Sequence, residues 1–342
     1  MSKNFLSASK IKTMQSCSWL YWCKYHLKLP EKSNDGASRG SVCHLVFECL
    51  GNPRHKHHYK KIVKNQSVWK SKAVRRLVIN YAKKLKIYDK ENMFLINDMI
   101  VNGLNYDFFG DTNKKPTDSA SEASFEICID EDEKNYNIRG FIDKLFLYKK
   151  EGSALIRDFK TSKKVFCGKD LTDNLQDLMY SLAVKKLYPK YLSRSSEFLF
   201  LKFNLDTDLL GDSGGGVVNM EGISDDELEG FEFFLTEIQK ITDNFSEDDA
   251  QGNFAARQDY PKDGSFAGPL SCGFAKHPNQ LKKDGTKMWH CPHKFSYEYW
   301  TINDEDDKAI YSAFNQEDLE KSGIKGTYKK HKYKGCPHWN QK

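Results

Sequence analysis

Three consecutive strand-like segments followed by a helix-like segment constrain the fold of this chain most strongly. The strand-like segments are "EASFEICID" (122–130), "NYNIRGFIDKLFLYK" (135–149) and "SALIRDFKT" (153–161). Each is rich in the β-branched and aromatic residues typical of strands, and charged, turn-like stretches separate them. The segment "TDNLQDLMYSLAVKKLYP" reads as a helix that Pro189 ends. This order predicts successive strands followed by a helix in the middle of the chain.

Two of the predicted strands carry charged residues in apolar surroundings. Asp143 lies within "IRGFIDKLFLY", and Asp158 and Lys160 lie two residues apart in "IRDFK". Residues two apart on a strand project to the same side of a sheet, and charge in an apolar segment is costly without a partner. If the two strands are neighbours in a hairpin, both carboxylates converge on one point.

Two converging carboxylates repel each other unless a cation lies between them, and hard oxygen ligands favour Mg²⁺ or Mn²⁺. Lys160 beside such a metal could orient or deprotonate a water and stabilise the charge that grows on a phosphate. This combination predicts a phosphodiester-hydrolysis site. Asp158 and Lys160 taken alone are also typical of a surface salt bridge, and Glu122 is either an accessory acid or an ordinary strand-edge residue.

Charge is distributed unevenly along the chain. Residues 54–88 carry twelve Lys or Arg and no acid, residues 321–342 carry seven Lys and no acid, and residues 225–249 carry ten acids and one Lys. A basic block that faces an anionic polymer and an acidic block turned away from it would explain this pattern. Two solvated helix faces are the alternative interpretation.

Composition narrows the class of protein. With 342 residues, 39% hydrophobic and 13% aromatic, the chain is predicted to be globular. It has no apolar run long enough for a membrane span, and "MSKNFLSASKIKTMQ" lacks the apolar core of a secretory signal, so we expect an intracellular protein. Nine cysteines, an odd number, favour free thiols or metal ligands over a disulfide framework.

The ordered motifs resemble the PD-(D/E)XK nuclease superfamily, in particular its RecB-like exonuclease branch, which includes the CRISPR-associated RecB-like nucleases. That branch typically shows an S-x-S-x₇-C start, a G-x-x-x-H-x-x-x-E helix, then G-x-x-D, D-x-K-T and Q-x-x-x-Y. The corresponding residues here are Ser7, Ser9 and Cys17; Gly40, His44 and Glu48; Gly140 and Asp143; Asp158, Lys160 and Thr161; Gln176 and Tyr180.

This resemblance implies an α/β fold with a restriction-endonuclease-like core, in which helices flank a mixed central sheet. We expect an N-terminal helical region with the basic block at residues 1–115 and the nuclease core at 116–210. Residues 211–342 would form the acidic helix and an irregular, metal-bound module that contains cysteines.

The resemblance also implies roles for the charged residues. Asp143 and Asp158 would be the metal carboxylates, and Lys160 would be the catalytic lysine. His44 would be a further metal ligand, and the backbone carbonyl of Phe159 would also touch the metal.

Five residues are predicted to lie near DNA. Gln176 and Tyr180 are one helical turn apart and share a face, so they would contact either DNA or the neighbourhood of Lys160. In the basic block, Lys70, Arg75 and Arg76 are expected to bind DNA phosphates.

Many RecB-like nucleases carry an iron–sulfur cluster that is bound by one cysteine before the core and three after it. Cys17 precedes the core here, and Cys272, Cys291 and Cys336 follow it. The resemblance therefore implies a 4Fe–4S cluster, which would tie the C-terminal module to the N-terminus. Cys23 is an alternative to Cys17, although Cys17 matches the motif better.

The cysteine spacing departs from that of the branch, whose last three cysteines are usually close together. The last three here are 19 and 45 residues apart, and "HCPHKF" and "GCPHW" place histidines beside the thiols. Zn²⁺ is therefore the rival of the iron–sulfur cluster, which we expect in preference. The neighbouring histidines are His290, His293 and His338.

These features together predict a metal-dependent DNA exonuclease that acts on single-stranded DNA or free ends in recombination, repair or viral DNA metabolism. A phage-encoded enzyme would act in the host cytoplasm. The alternative is a catalytically inactive nuclease-fold module that only binds DNA. The chain has no P-loop pattern, so ATP-driven unwinding would need a helicase or recombination partner.

Overall fold

A computed structural model describes residues 3–31, 34–208, 215–257 and 272–340. The described chain is mainly helical up to Asn105. A π-helical turn, Trp22–His26, follows the second helix, and the 3₁₀ turn Val68–Lys70 precedes the fifth. The helices are α1 (Ala8–Ser16), α2 (Ser18–Tyr21), α3 (Asp35–Gly51), α4 (Lys56–Asn65), α5 (Lys72–Lys84) and α6 (Lys90–Asn105).

A six-stranded mixed sheet with interspersed helices follows. Its order is β1-β2-β3-β4-β6-β5; the pairs β1–β2, β2–β3 and β4–β6 are antiparallel, and β3–β4 and β5–β6 are parallel. The elements are β1 (Asp118–Asp130), β2 (Asn135–Tyr148), β3 (Ser153–Lys160), α7 (Lys169–Thr172), α8 (Leu175–Leu187), β4 (Ser193–Phe200), β5 (Asn204–Asp208), β6 (Gly215–Asn219) and α9 (Asp225–Asp243). This architecture confirms the predicted α/β, restriction-endonuclease-like fold.

Alternation along β3 separates the core from the polar side of the sheet. Phe159 packs into the apolar core that α3 to α6 share with the sheet, and its ring lies 4.3 Å from that of Phe47 on α3. Successive strand residues point to opposite faces, so Asp158 and Lys160 project to the other face, where α8 packs. The side chain of Asn174 caps α8 by accepting from the backbone N–H of Gln176.

The C-terminal part contains more regular structure than the sequence suggested. Its strands form a three-stranded antiparallel sheet in the order β8-β7-β9, so the prediction of an irregular module was wrong for this part. Strands β7 and β9 bury few apolar side chains, and β9 is rich in lysine, which hides their period. The elements are α10 (Glu247–Ala250), β7 (Tyr297–Asn303), β8 (Ala309–Ala313), α11 (Gln316–Ser322), β9 (Thr327–Tyr333) and α12 (Pro337–Asn340).

The chain divides into two compact units. The first unit comprises Met1–Ala8 and Ser33–Gln239, and the second comprises Ser9–Lys32 and Lys240–Lys342. Most of the predicted N-terminal region thus belongs to the same unit as the nuclease core, and the predicted boundary at 210/211 lies outside the described residues. No helix in the described ranges is long and apolar enough to cross a membrane.

Asp177 of α8 makes folding of the first unit depend on pH. Its side chain is buried, and burial raises the pKa of the carboxyl group to about 6, although the hydroxyl groups of Ser196 and Ser181 counteract part of the shift. In an unfolded chain an Asp carboxyl titrates near pH 4. The folded state therefore loses stability as the pH rises from about 4 to about 6, because the buried group becomes charged.

We predict that Asp177→Asn raises the free energy of unfolding by about 2 kcal/mol at pH 8 and has little effect at pH 4. Urea unfolding at both pH values measures this difference. The exposed Asp173, four residues before Asp177, gives the matched control. Asp173→Asn should leave the free energy of unfolding unchanged at both pH values. Equal stability of Asp177→Asn and the parent protein at pH 8 would contradict a buried charge.

Candidate active site

Strands β2 and β3 separate where the acidic residues lie. They pair only as far as Lys144 and Arg157. Beyond that point the backbone N–H of Phe159 donates to Asp143 Oδ2 at 2.7 Å. The Asp143 carboxylate therefore stands in for a strand carbonyl and is fixed at the fork between the two strands.

A compact group of three ligand-type side chains surrounds Asp143. The β1–β2 register places Glu122 opposite Asp143, and the backbone of Glu122 is left-handed, with φ of 50°. His44 Nδ1 lies 3.1 Å from Asp143 Oδ1 and 3.8 Å from Glu122 Oε1. One ligand atom from each of the three residues lies within 4.8 Å of the others. Two carboxylates and one imidazole suit Mn²⁺ or Mg²⁺.

Helix α3 brings His44 to this group through a close approach at Gly40. A Cβ atom at Gly40 would lie 2.9 Å from Oγ1 of Thr161, just beyond the end of β3. Glycine therefore allows α3 to pass over the strand end, one helical turn before His44. Glu48, the third member of the predicted helical motif, is exposed and does not line the cavity.

The electrostatics of the group favour positive charge. Burial opposes protonation of His44, but hydrogen bonds to Asp143 and Glu122 outweigh it and raise the pKa of His44 to about 10. Burial and the neighbouring Asp143 carboxylate raise the pKa of Asp158 to about 6, against the effect of Lys160. Closely spaced carboxylates that favour bound positive charge in this way are typical of cation sites.

Asp158, Lys160 and Gln176 form a connected polar network. Lys160 Nζ lies 2.6 Å from Asp158 Oδ2 and donates to Gln176 Oε1 at 2.6 Å. Gln176 Nε2 donates to Asp158 Oδ1 and to Tyr180 Oη, each at 2.7 Å. Asp158 is only 4% exposed and Lys160 is half-buried, so the pair has a buried carboxylate and differs from a salt bridge between two exposed side chains.

The glycine of the predicted G-x-x-D motif supports this network from below. Phe125 lies opposite Gly140 in the β1–β2 register, and a Cβ atom at Gly140 would lie 2.6 Å from the Phe125 ring. That ring packs edge-on against Tyr180 with 6.1 Å between centroids. Gly140 therefore makes room for the aromatic ring that holds Tyr180 and, through it, Gln176.

The structure places the seven predicted residues of the nuclease site, half of all predicted site residues, in one cavity of about 630 Å³. It differs from the predicted ligand set in one respect: Asp158 is turned to Lys160 and Gln176, whereas Glu122 completes the compact group. The carbonyl role of Phe159 stays a prediction, as do DNA contacts by Gln176 and Tyr180. The predicted residues that line the cavity are His44, Asp143, Asp158, Phe159, Lys160, Gln176 and Tyr180.

The predicted DNA-binding cations of the basic block lie outside this cavity. Lys70 ends the 3₁₀ turn before α5, and Arg75 and Arg76 are exposed on α5, opposite its buried residues Val74 and Val78. Apolar packing thus fixes which side of α5 carries the charge. A role in DNA binding stays a prediction for these three residues.

The four predicted cluster cysteines line one cavity of the second unit. Cys17, Cys272, Cys291 and Cys336 all contribute to its wall, and Cys23 does not. Burial raises the pKa of Cys291 to about 12 and that of Cys336 to about 11, and the neighbouring thiols add to both shifts.

Two of the three histidines near these thiols also line the cavity, namely His293 and His338. Nδ1 of His293 lies 2.8 Å from the hydroxyl oxygen of Tyr297. Among the described residues of this unit, no three Cys, His, Asp or Glu side chains have ligand atoms within 4.8 Å of one another. The thiols therefore line one cavity without three of them coming within that distance of one another.

Comparison with known proteins shows the family of this chain. The chain belongs to the PD-(D/E)XK nuclease superfamily, whose family profile matches residues 5–265. A solved structure from Eubacterium rectale, described as a candidate exonuclease, is similar at 9% identity and a TM-score of 0.42, covering 75% of this chain and 90% of the other. The structure of SSO0001 is similar at 14% identity and a TM-score of 0.24, covering 67% and 87%. No curated protein matches the chain.

We predict that Gly140→Ala lowers cleavage about tenfold or more, because the added methyl group pushes Phe125 against Tyr180 and displaces Gln176. The measurement is kcat with DNA, together with a thermal melt. Gly230→Ala is the matched control, because a Cβ atom there meets no atom within 4 Å. Gly140→Ala with unchanged kcat would show that the Phe125 contact does not position the network.

Proposed function

We propose that this chain is a Mg²⁺- or Mn²⁺-dependent deoxyribonuclease of the RecB-like branch that hydrolyses phosphodiester bonds from DNA ends. The observation that carries this proposal is the convergence of three features at one cavity. These are the compact group around Asp143, the ion pair of the buried Asp158 with Lys160, and the fork between β2 and β3 that brings them together.

The metal would be held by Glu122, Asp143 and His44, with Asp158 beside them. When bound, Mg²⁺ or Mn²⁺ supplies a water of lowered pKa and offsets charge on the phosphate. The two carboxylates fit both ions because they provide hard oxygen ligands, and the imidazole of His44 favours Mn²⁺ over Mg²⁺ because Mg²⁺ binds nitrogen poorly.

Lys160 is oriented for a role at the reacting phosphate. Its Nζ is held by Asp158 and by Gln176, which Tyr180 fixes in turn. An ammonium group held in this way can donate to the attacking water or to a non-bridging oxygen of the phosphate as negative charge grows there. Its position costs no further reorganisation during the reaction, which is what electrostatic catalysis requires.

The finer parts of the proposal rest on the motif order. The succession of Gly140 and Asp143, Asp158 and Lys160, and a Q-x-x-x-Y helix resembles that of RecB-like exonucleases. We therefore assign single-stranded DNA or DNA with free ends as substrate. Recombination, repair or viral DNA metabolism inside a cell is the expected process, with a helicase or recombination partner where duplex must be unwound.

An inactive nuclease-fold module that only binds DNA is the alternative. The presence of Asp143, Asp158 and Lys160 together favours the enzyme. Digestion of end-labelled DNA decides between them, with linear and circular substrates, single- and double-stranded, in Mg²⁺, Mn²⁺ or EDTA. For an exonuclease, we expect linear DNA to be digested in the presence of Mg²⁺ or Mn²⁺ but not in EDTA, and circular DNA to remain intact.

We predict that Asp143→Ala, Asp158→Ala and Lys160→Ala each reduce cleavage by about a thousandfold or more while DNA binding stays measurable. Residues that act as one unit are non-additive, so a double variant should resemble the single ones. The exposed Lys149, in the turn at the opposite end of β3, provides the control variant Lys149→Ala. Full activity of Lys160→Ala would overturn the assigned role.

The basic block is proposed to bind DNA phosphates without regard to sequence. We predict that charge reversal at Lys70, Arg75 and Arg76 weakens binding to all sequences alike and lowers the slope of log Kd against log salt by about one per residue. Fluorescence anisotropy over a salt series measures this. Reversal at Lys149 and Lys150 is the control, and an affinity that does not depend on salt would show that the block is only a solvated face.

We also propose that Cys17, Cys272, Cys291 and Cys336 bind an iron–sulfur cluster of the 4Fe–4S type. A tetrahedral zinc site with 2.3 Å bonds needs sulfur atoms about 4 Å apart, and no three of the described thiols lie within 4.8 Å of one another. In a four-iron cluster each thiolate binds a different iron, so the ligands stand around a larger space. The four cysteines in the wall of one cavity supply the four thiolates that such a cluster needs.

We predict that protein purified without oxygen is brown, with broad absorbance at about 400 nm from thiolate-bound iron. Cys336→Ala should remove the colour and lower the melting temperature, because a cluster contributes to folding. The exposed Cys128 gives the control Cys128→Ala. Colourless protein that contains zinc would establish a zinc site, and protein with neither metal and fully stable alanine variants would exclude a metal centre.

A further inference from the structure

The active-site cavity extends beyond the acidic group to three cations that the proposed reaction does not use. These are Arg39, Lys163 and Lys202, and all three line the same cavity as Asp143 and Asp158. One part of the cavity wall is therefore acidic and suited to a metal, and another part is basic. A ligand that fills the cavity would have to satisfy both.

The topology brings these cations to one edge of the sheet. Strands β3 and β4 are parallel, with Lys160 paired to Phe200, so both strands end at the same edge. Lys163 follows β3 and Lys202 follows β4, just beyond this edge. Arg39 lies on α3 five residues before His44, which is about 7.5 Å along the helix axis. The three cations therefore lie in the wall of the same cavity as the metal group, at the end of the sheet where β3 and β4 finish.

The three cations are close to one another, and no anion of the described chain neutralises them by direct contact. Burial lowers the pKa of Lys202, and the charges of Arg39 and Lys163 lower it further. In the described part of the chain, none of the three forms an ion pair with a carboxylate. Lys163 is exposed at the mouth of the cavity.

Arg39 is held in place and keeps part of its hydrogen-bonding capacity. One guanidinium nitrogen donates to the Asn92 side chain, and Nε is buried without a partner. Asn92 in turn donates to the carboxylates of Asp35 and Asp89, so the acids nearest to Arg39 are bound to an amide. A guanidinium group that lines the cavity and is held at one nitrogen is suited to bind an oxyanion through its remaining N–H groups.

We propose that Arg39, Lys163 and Lys202 form a subsite that binds a DNA phosphate next to the phosphate being cleaved. This inference rests on the proposed nuclease function and adds to it a second anchoring point for the same strand. The ligand is a phosphate oxyanion of DNA, either an internal phosphodiester or a terminal phosphate. Contacts to phosphate carry no base preference, but they fix the register of the strand, so this subsite determines which bond reaches Asp158 and Lys160.

The test combines protein variants with single changes of substrate charge. The variants are Arg39→Ala, Lys163→Ala and Lys202→Ala, and the control is Lys164→Ala, since Lys164 is an exposed neighbour that does not line the cavity. The substrates are single-stranded oligonucleotides with a 5′-phosphate, with a 5′-hydroxyl group, or with one neutral methylphosphonate at a defined position beside the cleaved bond.

On the fully charged substrate, Arg39→Ala and Lys202→Ala should lower kcat/KM about tenfold, the order expected for loss of one hydrogen bond to a charged group. On the substrate whose bound phosphate is neutral or missing, the same variants should have the same kcat/KM as the parent protein. The substitution that removes the difference identifies the bound group: the 5′-hydroxyl substrate for a terminal phosphate, or a methylphosphonate for an internal one.

Equal losses on every substrate, or an equal loss in Lys164→Ala, would overturn the subsite. Thermal melts exclude unfolding as the cause, and Arg39→Lys, which keeps the charge, should retain more activity than Arg39→Ala. Binding of the same oligonucleotides in EDTA, measured by fluorescence anisotropy, distinguishes failure of the proposed nuclease function from failure of the phosphate subsite. A protein that never cleaves DNA but binds the charged substrate more tightly through Lys202 would refute the nuclease and retain the subsite.

Discussion

The hydrogen bond from the Phe159 backbone to the Asp143 carboxylate is the interaction on which the site depends. Because it replaces a strand-to-strand bond, β2 and β3 separate at the position where two carboxylates must meet. The two oxygens of the Asp143 carboxylate have different partners: Oδ2 accepts from the backbone N–H of Phe159, and Oδ1 faces His44. The Phe159 ring meanwhile packs on Phe47, which fixes the rotation of β3 and directs Asp158 and Lys160 toward α8.

Much of this site could be predicted because it is encoded by short-range pattern. Alternation and turn signals place the strands, and the spacing of Asp158 and Lys160 places them on one face. Even the position of Glu122 follows from the register of the hairpin. Asp130 pairs with Asn135 next to the turn between β1 and β2. Counting eight residues away from the turn on each strand places Glu122 across from Asp143. Extending the register of the predicted hairpin would have chosen the accessory acid over the strand-edge alternative.

Features that depend on tertiary contact could not be predicted in this way. Arg39, Lys163 and Lys202 come from three separate segments, and only the closeness of α3 to the shared edge of β3 and β4 brings them together. The β9 segment "TYKKHKY" reads as a basic tail, because its lysines hide the alternation of a half-exposed strand. The turn of Asp158 toward Lys160 and Gln176 likewise depends on where α8 packs, which no local pattern specifies.

The division into two units separates catalytic chemistry from the proposed cluster. Every residue of the acidic group and of the Lys160 network belongs to the first unit, and all four cavity cysteines belong to the second. In the second unit the segment around Cys17 meets distant parts of the chain: the Trp19 indole donates to the Tyr333 hydroxyl, and Ser18 bonds to Asn253. A metal centre there would join segments that share only a small apolar core. Because the described part of that unit supplies none of the proposed catalytic side chains, we expect loss of a cysteine to act on cleavage through folding and not through the reaction itself.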